Sequence, residues 1–158
     1  MSGMIRDGIH ELLVGRGATV SLAESCTGGL AGYLLTMRPG ASGFFVGSAV
    51  VYSNEAKERV LGVSAATLEA FGAVSPETAV EMAVGARRLF GSDYAAAVTG
   101  IAGPDGATDG KPVGMVCIAA TDGRETLVRE NRFGGDREAV RQASAAATLS
   151  LLAELMGL

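Results

Sequence analysis

Two hydrophobic periods alternate along the 158-residue chain, and the switches between them mark its elements. Ile5, Ile9, Leu12 and Leu13 share one helical face, predicting an amphipathic helix over 4–15. A short apolar strand over 19–23 follows. Helical spacing then returns in Leu30, Leu34, Leu35 and Met37, so a helix starting at Gly28-Gly29 is predicted, with Tyr33 packed within it. The turn residues of 38–43 read as a loop. Valine and aromatic residues over 45–52 read as a buried strand. Ser53-Asn54 supplies a cap for a helix through Lys57 to Leu61, and another short helix spans 64–71. Ser75-Pro76-Glu77 joins a cap to a first-turn proline, and Val80, Ala83, Val84 and Leu89 carry that helix to Gly91.

In the second half, 94–99 is a short apolar strand that breaks into a glycine-rich loop running to Pro112. Strands are expected over 113–120 and 125–133, joined by a turn with an Asp122-Gly123 hairpin signal. Gly134-Gly135-Asp136 precedes a final helix over 137–155. Alternating strands and helices plus one hairpin predict an α/β fold: a three-layer α/β/α arrangement with a mixed, mostly parallel sheet. No repeat or linker interrupts it, so one domain over 1–158 is expected.

Composition narrows the function classes. With 48% apolar and 19% charged residues the chain can bury a single core. A net charge of −4 without a basic tract argues against a nucleic-acid groove. Two cysteines are too few for a disulfide framework and suit a reducing cytoplasm. One histidine and no clustered ligands give no metal-site spacing. The charged N-terminal pattern is neither a signal peptide nor a membrane span. A cytoplasmic protein without membrane or nucleic-acid partners is the expectation.

The candidate chemistry gathers at strand ends, where parallel α/β sheets bind ligands. Three such ends carry polar or glycine-rich residues: 25–29, 52–57 and 99–106. Ser25 and Cys26 lie where a strand enters a helix, whose first amides favour anions and developing oxyanions. Ser25 or Thr27 also suits the simpler role of helix cap. His10, the only histidine, belongs to the first amphipathic helix and reads as structural, which removes a Ser-His-Asp arrangement. A serine nucleophile then needs another base, and Lys57 follows the second strand end. Its free pKa of about 10.4 would have to fall to roughly 7–8, a shift worth about 3–5 kcal/mol, through burial or through Arg137 or Arg141 nearby. An exposed helix lysine is the alternative. Cys26 competes as nucleophile, with Ser25 preferred. The loop over 99–106 lacks the P-loop pattern but offers backbone donors. Arg137 suits a phosphate or carboxylate clamp, and Tyr52 lies close to Lys57 in sequence.

These residues together resemble the CinA C-terminal family. The matching stretches are AESCTGG (23–29), YSNEAK (52–57), GAVSPETA (72–79), TGIAGPDGATDGKPVG (99–114) and GGDREAVR (134–141), in the family's order across nearly the whole chain. Gly106-Ala107 replaces the usual double glycine. Standalone members include nicotinamide-nucleotide amidase. The resemblance therefore implies hydrolysis of the carboxamide of nicotinamide mononucleotide, giving nicotinate mononucleotide and ammonia, without metal or organic cofactor. It implies Ser25 as nucleophile and Lys57 as base, with Tyr52, Thr99 and Arg137 in the pocket. Thr27, Gly28 and Gly100 join this expected substrate-binding set through their backbone, as oxyanion donors near 27–29 or 99–100. The resemblance also implies a homo-oligomer. Functions of the separate N-terminal domain of longer members are not carried over. Two other readings stay open: a competence-associated binding or interaction module without catalysis, and an amidase for another small amide.

Overall fold

The computed structural model describes residues 3–158; Met1 and Ser2, part of the domain expected over 1–158, lie outside the described residues. In chain order the elements are α1 (Gly3–Arg16), β1 (Val20–Glu24), α2 (Leu30–Thr36), a 3-10 turn (Ala41–Gly43), β2 (Phe45–Val50), α3 (Asn54–Leu61), α4 (Ala65–Phe71), α5 (Pro76–Phe90), β3 (Tyr94–Gly100), β4 (Met115–Thr121), β5 (Thr126–Arg132) and α6 (Arg137–Leu155). The five strands form one sheet in the order β2-β1-β3-β4-β5. β2, β1 and β3 are parallel, β4 is antiparallel to β3, and β5 turns back again, so four strands share one direction. This is the α/β sheet that the alternation of periods predicts.

Two apolar cores separate the layers. On one face Leu22, Val98 and Ile118 meet Leu13 of α1, Leu35 of α2 and Leu149 and Leu152 of α6. On the other, Ala97 and Ala119 meet Leu61 of α3, Leu68 of α4 and Met82 and Ala83 of α5. Small residues on both sides let α5 lie close to its neighbours. Gly85 marks the tightest point: a Cβ there would sit 2.1 Å from the Leu61 carbonyl oxygen. The caps read from sequence at Ser53 and Ser75 are present, and Ser64 and Asp136 cap their helices as well, each of the four accepting from an amide three residues on.

Three expectations need correction. Neither Ser25 nor Thr27 caps α2, which starts at Leu30 after a left-handed Gly29 (φ 104°) without a side-chain cap. Tyr33 does not pack inward; it is 61% exposed on the outer face of α2. The strand through Phe45 ends at Val50, two residues short of Tyr52, and Val46 and Val50 are exposed because β2 is an edge strand. No helix among the described residues is long and apolar enough to cross a membrane.

Candidate active site

Strand register assembles the site. Glu24, the last residue of β1, pairs with Val50, the last of β2, and with Val98 of β3, which runs two residues further. The next residues out are Ser25 after β1, Val51 and Tyr52 after β2, and Thr99 and Gly100 at the end of β3. The ladder continues briefly beyond the strands: the Ser25 amide donates to the Val98 carbonyl (3.0 Å) and the Val51 amide to the Glu24 carbonyl (2.8 Å). All three predicted strand ends thus open into one cleft of about 220 Å³, bounded by Ser25, Tyr52, Lys57, Thr99, Gly103 and Arg137. A larger cavity of about 580 Å³ lies at the opposite end of the sheet, among Arg87, Asp93 and Thr126. It contains neither Ser25 nor Lys57.

The first turn of α3 carries Lys57 back into the protein. Its side chain is buried, and Nζ lies 3.1 Å from Ser25 Oγ, 3.1 Å from the Val51 carbonyl oxygen and 3.2 Å from that of Tyr52. No carboxylate among the described residues forms an ion pair with it. Burial lowers the lysine pKa below its usual value, opposed in part by the neighbouring Cys26. The arginines considered from sequence are not the cause. An ammonium donates to all three oxygens; a neutral amine donates to the two carbonyls and keeps a lone pair for the Ser25 hydroxyl proton. Cys26 also reaches the cleft, but burial raises its thiol pKa to about 11. The reactive thiolate is therefore scarce near neutrality.

The CinA C-terminal domain family matches residues 4–156 of this chain. The chain belongs to that family. A CinA-like protein of Fervidobacterium nodosum is 47% identical over 148 residues, which cover 94% of this chain and 36% of that protein. The chain spans about a third of the length of the curated relatives it matches. Solved structures of comparable length share the whole fold. The competence/damage inducible protein of Agrobacterium tumefaciens is 40% identical with a TM-score of 0.92, covering 98% of this chain and 97% of that one. That of Enterobacter asburiae is 36% identical with a TM-score of 0.94, covering 98% of both chains.

Within this CinA C-terminal domain the remaining predicted residues divide. Tyr52, Thr99, Gly100 and Arg137 line the cleft. Thr99 Oγ1 donates to the Ala73 carbonyl (2.8 Å), bringing the loop before α5 to the cleft wall. Arg137 donates from Nη1 to the Gly103 carbonyl (2.8 Å) and from Nη2 to the Tyr52 hydroxyl (3.0 Å). Thr27 and Gly28 do not line the cleft: Thr27 is fully buried beneath the turn.

Glu24 is the reason, and sequence reasoning missed it. Its fully buried carboxylate accepts from the Thr27 hydroxyl (2.7 Å), the amides of Gly29 (3.1 Å), Ala31 (3.0 Å) and Gly32 (2.9 Å), and the Ser48 hydroxyl (2.9 Å). An internal carboxyl group therefore occupies the start of α2, so the Gly29, Ala31 and Gly32 amides are not free for a ligand. The available signal was an acidic residue closing an otherwise apolar strand just before a helix start. Arg141, from the second turn of α6, binds the same turn from outside, donating to the carbonyls of Cys26 (3.2 Å) and Thr27 (3.1 Å).

Proposed function

We propose that this domain, read as one unit over 1–158, is an amidase that converts nicotinamide mononucleotide to nicotinate mononucleotide and ammonia. The observation that carries the reading is the 3.1 Å contact between Lys57 Nζ and Ser25 Oγ in a cleft shared with Tyr52, Thr99 and Arg137. Burial without a carboxylate partner eases loss of the lysine proton, as a base requires. Ser25 Oγ attacks the carboxamide carbon while neutral Lys57 takes its proton. The C–N bond then breaks, and the lysine proton leaves with the amine as ammonia. A water molecule, deprotonated by the same lysine, releases nicotinate mononucleotide from the ester on Ser25.

The nucleotide preference rests on the family resemblance together with Arg137 at the cleft rim, which suits the 5′-phosphate. In this reading the protein works in the cytoplasm as a homo-oligomer and recycles pyridine nucleotide. Incubating the purified protein with nicotinamide mononucleotide and measuring ammonia tests it, with Ser25→Ala and Lys57→Ala as controls. Loss of at least about 10³-fold in kcat is expected in both variants. No ammonia from the unmodified chain rejects the substrate, and full activity in Ser25→Ala rejects the nucleophile.

A further inference from the structure

The turn between β1 and α2 accounts for its own amides with two exceptions. Ser25 N–H donates to the Val98 carbonyl, Gly28 N–H to the Ser25 carbonyl, Gly29 N–H to Glu24, and Leu30 N–H to the Thr27 carbonyl. The amides of Cys26 and Thr27 donate to no acceptor among the described residues. They follow Ser25 directly; Cys26 lines the cleft, whereas Thr27 is fully buried. A free amide beside a nucleophile, as at Cys26, suits a developing oxyanion.

Arg141 acts on the same peptide groups from their far side. The Cys26 carbonyl that accepts from Arg141 Nε belongs to the planar unit that ends in the Thr27 N–H. Holding the oxygen fixes the backbone of Cys26, and with it the direction of the Cys26 N–H beside Ser25. The second bond, from Nη2 to the Thr27 carbonyl, fixes the next peptide unit, whose Gly28 N–H closes the turn onto Ser25. Glu138 holds the guanidinium in place through Nη1 (3.1 Å). Arg141 does not line the cleft, so it acts through the turn rather than on a ligand.

We propose that Arg141 is a positioning residue that holds the turn so that the Cys26 amide serves as an oxyanion donor for attack by Ser25. The inference rests on the reading of Ser25 as nucleophile. Its test compares the unmodified chain with Arg141→Ala and Arg141→Lys. For ammonia release from nicotinamide mononucleotide, Arg141→Ala should lower kcat about 10- to 100-fold and leave KM within about threefold, somewhat less than the loss from deleting a donor outright. Added guanidinium should restore part of that kcat. An unchanged kcat, or a loss confined to KM, overturns the proposal. If Arg141→Ala does not fold, Arg141→Lys decides, because one ammonium cannot span both carbonyls in the guanidinium's fixed geometry. A several-fold drop in kcat is expected there, and unmodified activity overturns the role.

A second readout separates this proposal from the choice of substrate. An organophosphonofluoridate should phosphonylate Ser25, detected by intact mass, at least tenfold more slowly in Arg141→Ala than in the unmodified chain. Equal rates reject the positioning role even if the substrate is another amide. An unmodified chain that neither releases ammonia nor takes the label removes the nucleophile reading and this proposal together.

Discussion

Arg137 donates to the Tyr52 hydroxyl at 3.0 Å, tying the first residue of α6 to the segment that leaves β2 across the mouth of the cleft. The second guanidinium bond, to the Gly103 carbonyl, adds the glycine-rich loop to the same tie. Three segments far apart in sequence thus meet on one cation.

That meeting predicts a split in kinetic effects. Tyr52→Phe removes an anchor for Arg137 while keeping the ring, so KM for nicotinamide mononucleotide should rise about threefold to tenfold, the worth of one hydrogen bond. Arg137→Ala should raise KM about 10- to 100-fold through loss of charge-assisted contacts. In both, kcat should stay within about threefold; steady-state kinetics on the two variants checks this.

Lys57 predicts two pH dependences. Its folded pKa lies below the usual value of 10.5. Between those values the unfolded chain binds the extra proton, so stability rises with pH across that window. Below it, the cost of burying the ammonium is present in full. The unmodified chain should therefore gain stability relative to Lys57→Met as pH is raised from about 7 to about 10, measured by urea unfolding. The profile of kcat/KM should rise with an inflection below 10.5. An inflection at or above that value contradicts the base assignment.

Cys26 adjoins Ser25, the nucleophile of the proposed reaction. With its thiol pKa raised to about 11, alkylation by iodoacetamide at neutral pH should be slow. Cys26→Ala should keep kcat within about threefold, since the only Cys26 groups used by the site are backbone ones. A loss like that of Ser25→Ala would exchange their roles.

Glu24 predicts a stability effect. Glu24→Ala strands five buried or partly buried donors. Unsatisfied groups of this kind should cost at least about 3 kcal/mol, lowering Tm by roughly 6–12 °C in a chain of this size. A differential scan of the two proteins measures it; a shift under about 2 °C would show that water or a rearranged turn satisfies those donors.

The sequence made the layers legible because period and caps agree: the helix opened by Ser75-Pro76 and the strand of alanines after it each carry their own local signal. The cleft was legible as a set of strand ends, since Ser25, Tyr52 and Thr99 follow apolar runs of similar length. Glu24 was not, because local patterning does not say that a carboxylate will turn inward to meet a helix start. Tyr33 failed for the converse reason. Helical spacing identifies α2, but α2 is only seven residues long and covers a sheet edge, so half of its circumference faces out. The split roles of Arg137 and Arg141, one turn apart on α6, depend on which loops the fold brings beneath each, and no spacing rule contains that.

β2 pairs with β1 alone, and the segment leaving it supplies both carbonyls that hold Lys57. Sheet margins breathe before interiors do. Each opening at this margin withdraws two acceptors from the lysine and admits water to it. Proton affinity at Lys57 and breathing of the sheet margin are therefore two views of one equilibrium. In the proposed reaction, whatever quiets that margin also tunes the basicity available to Ser25.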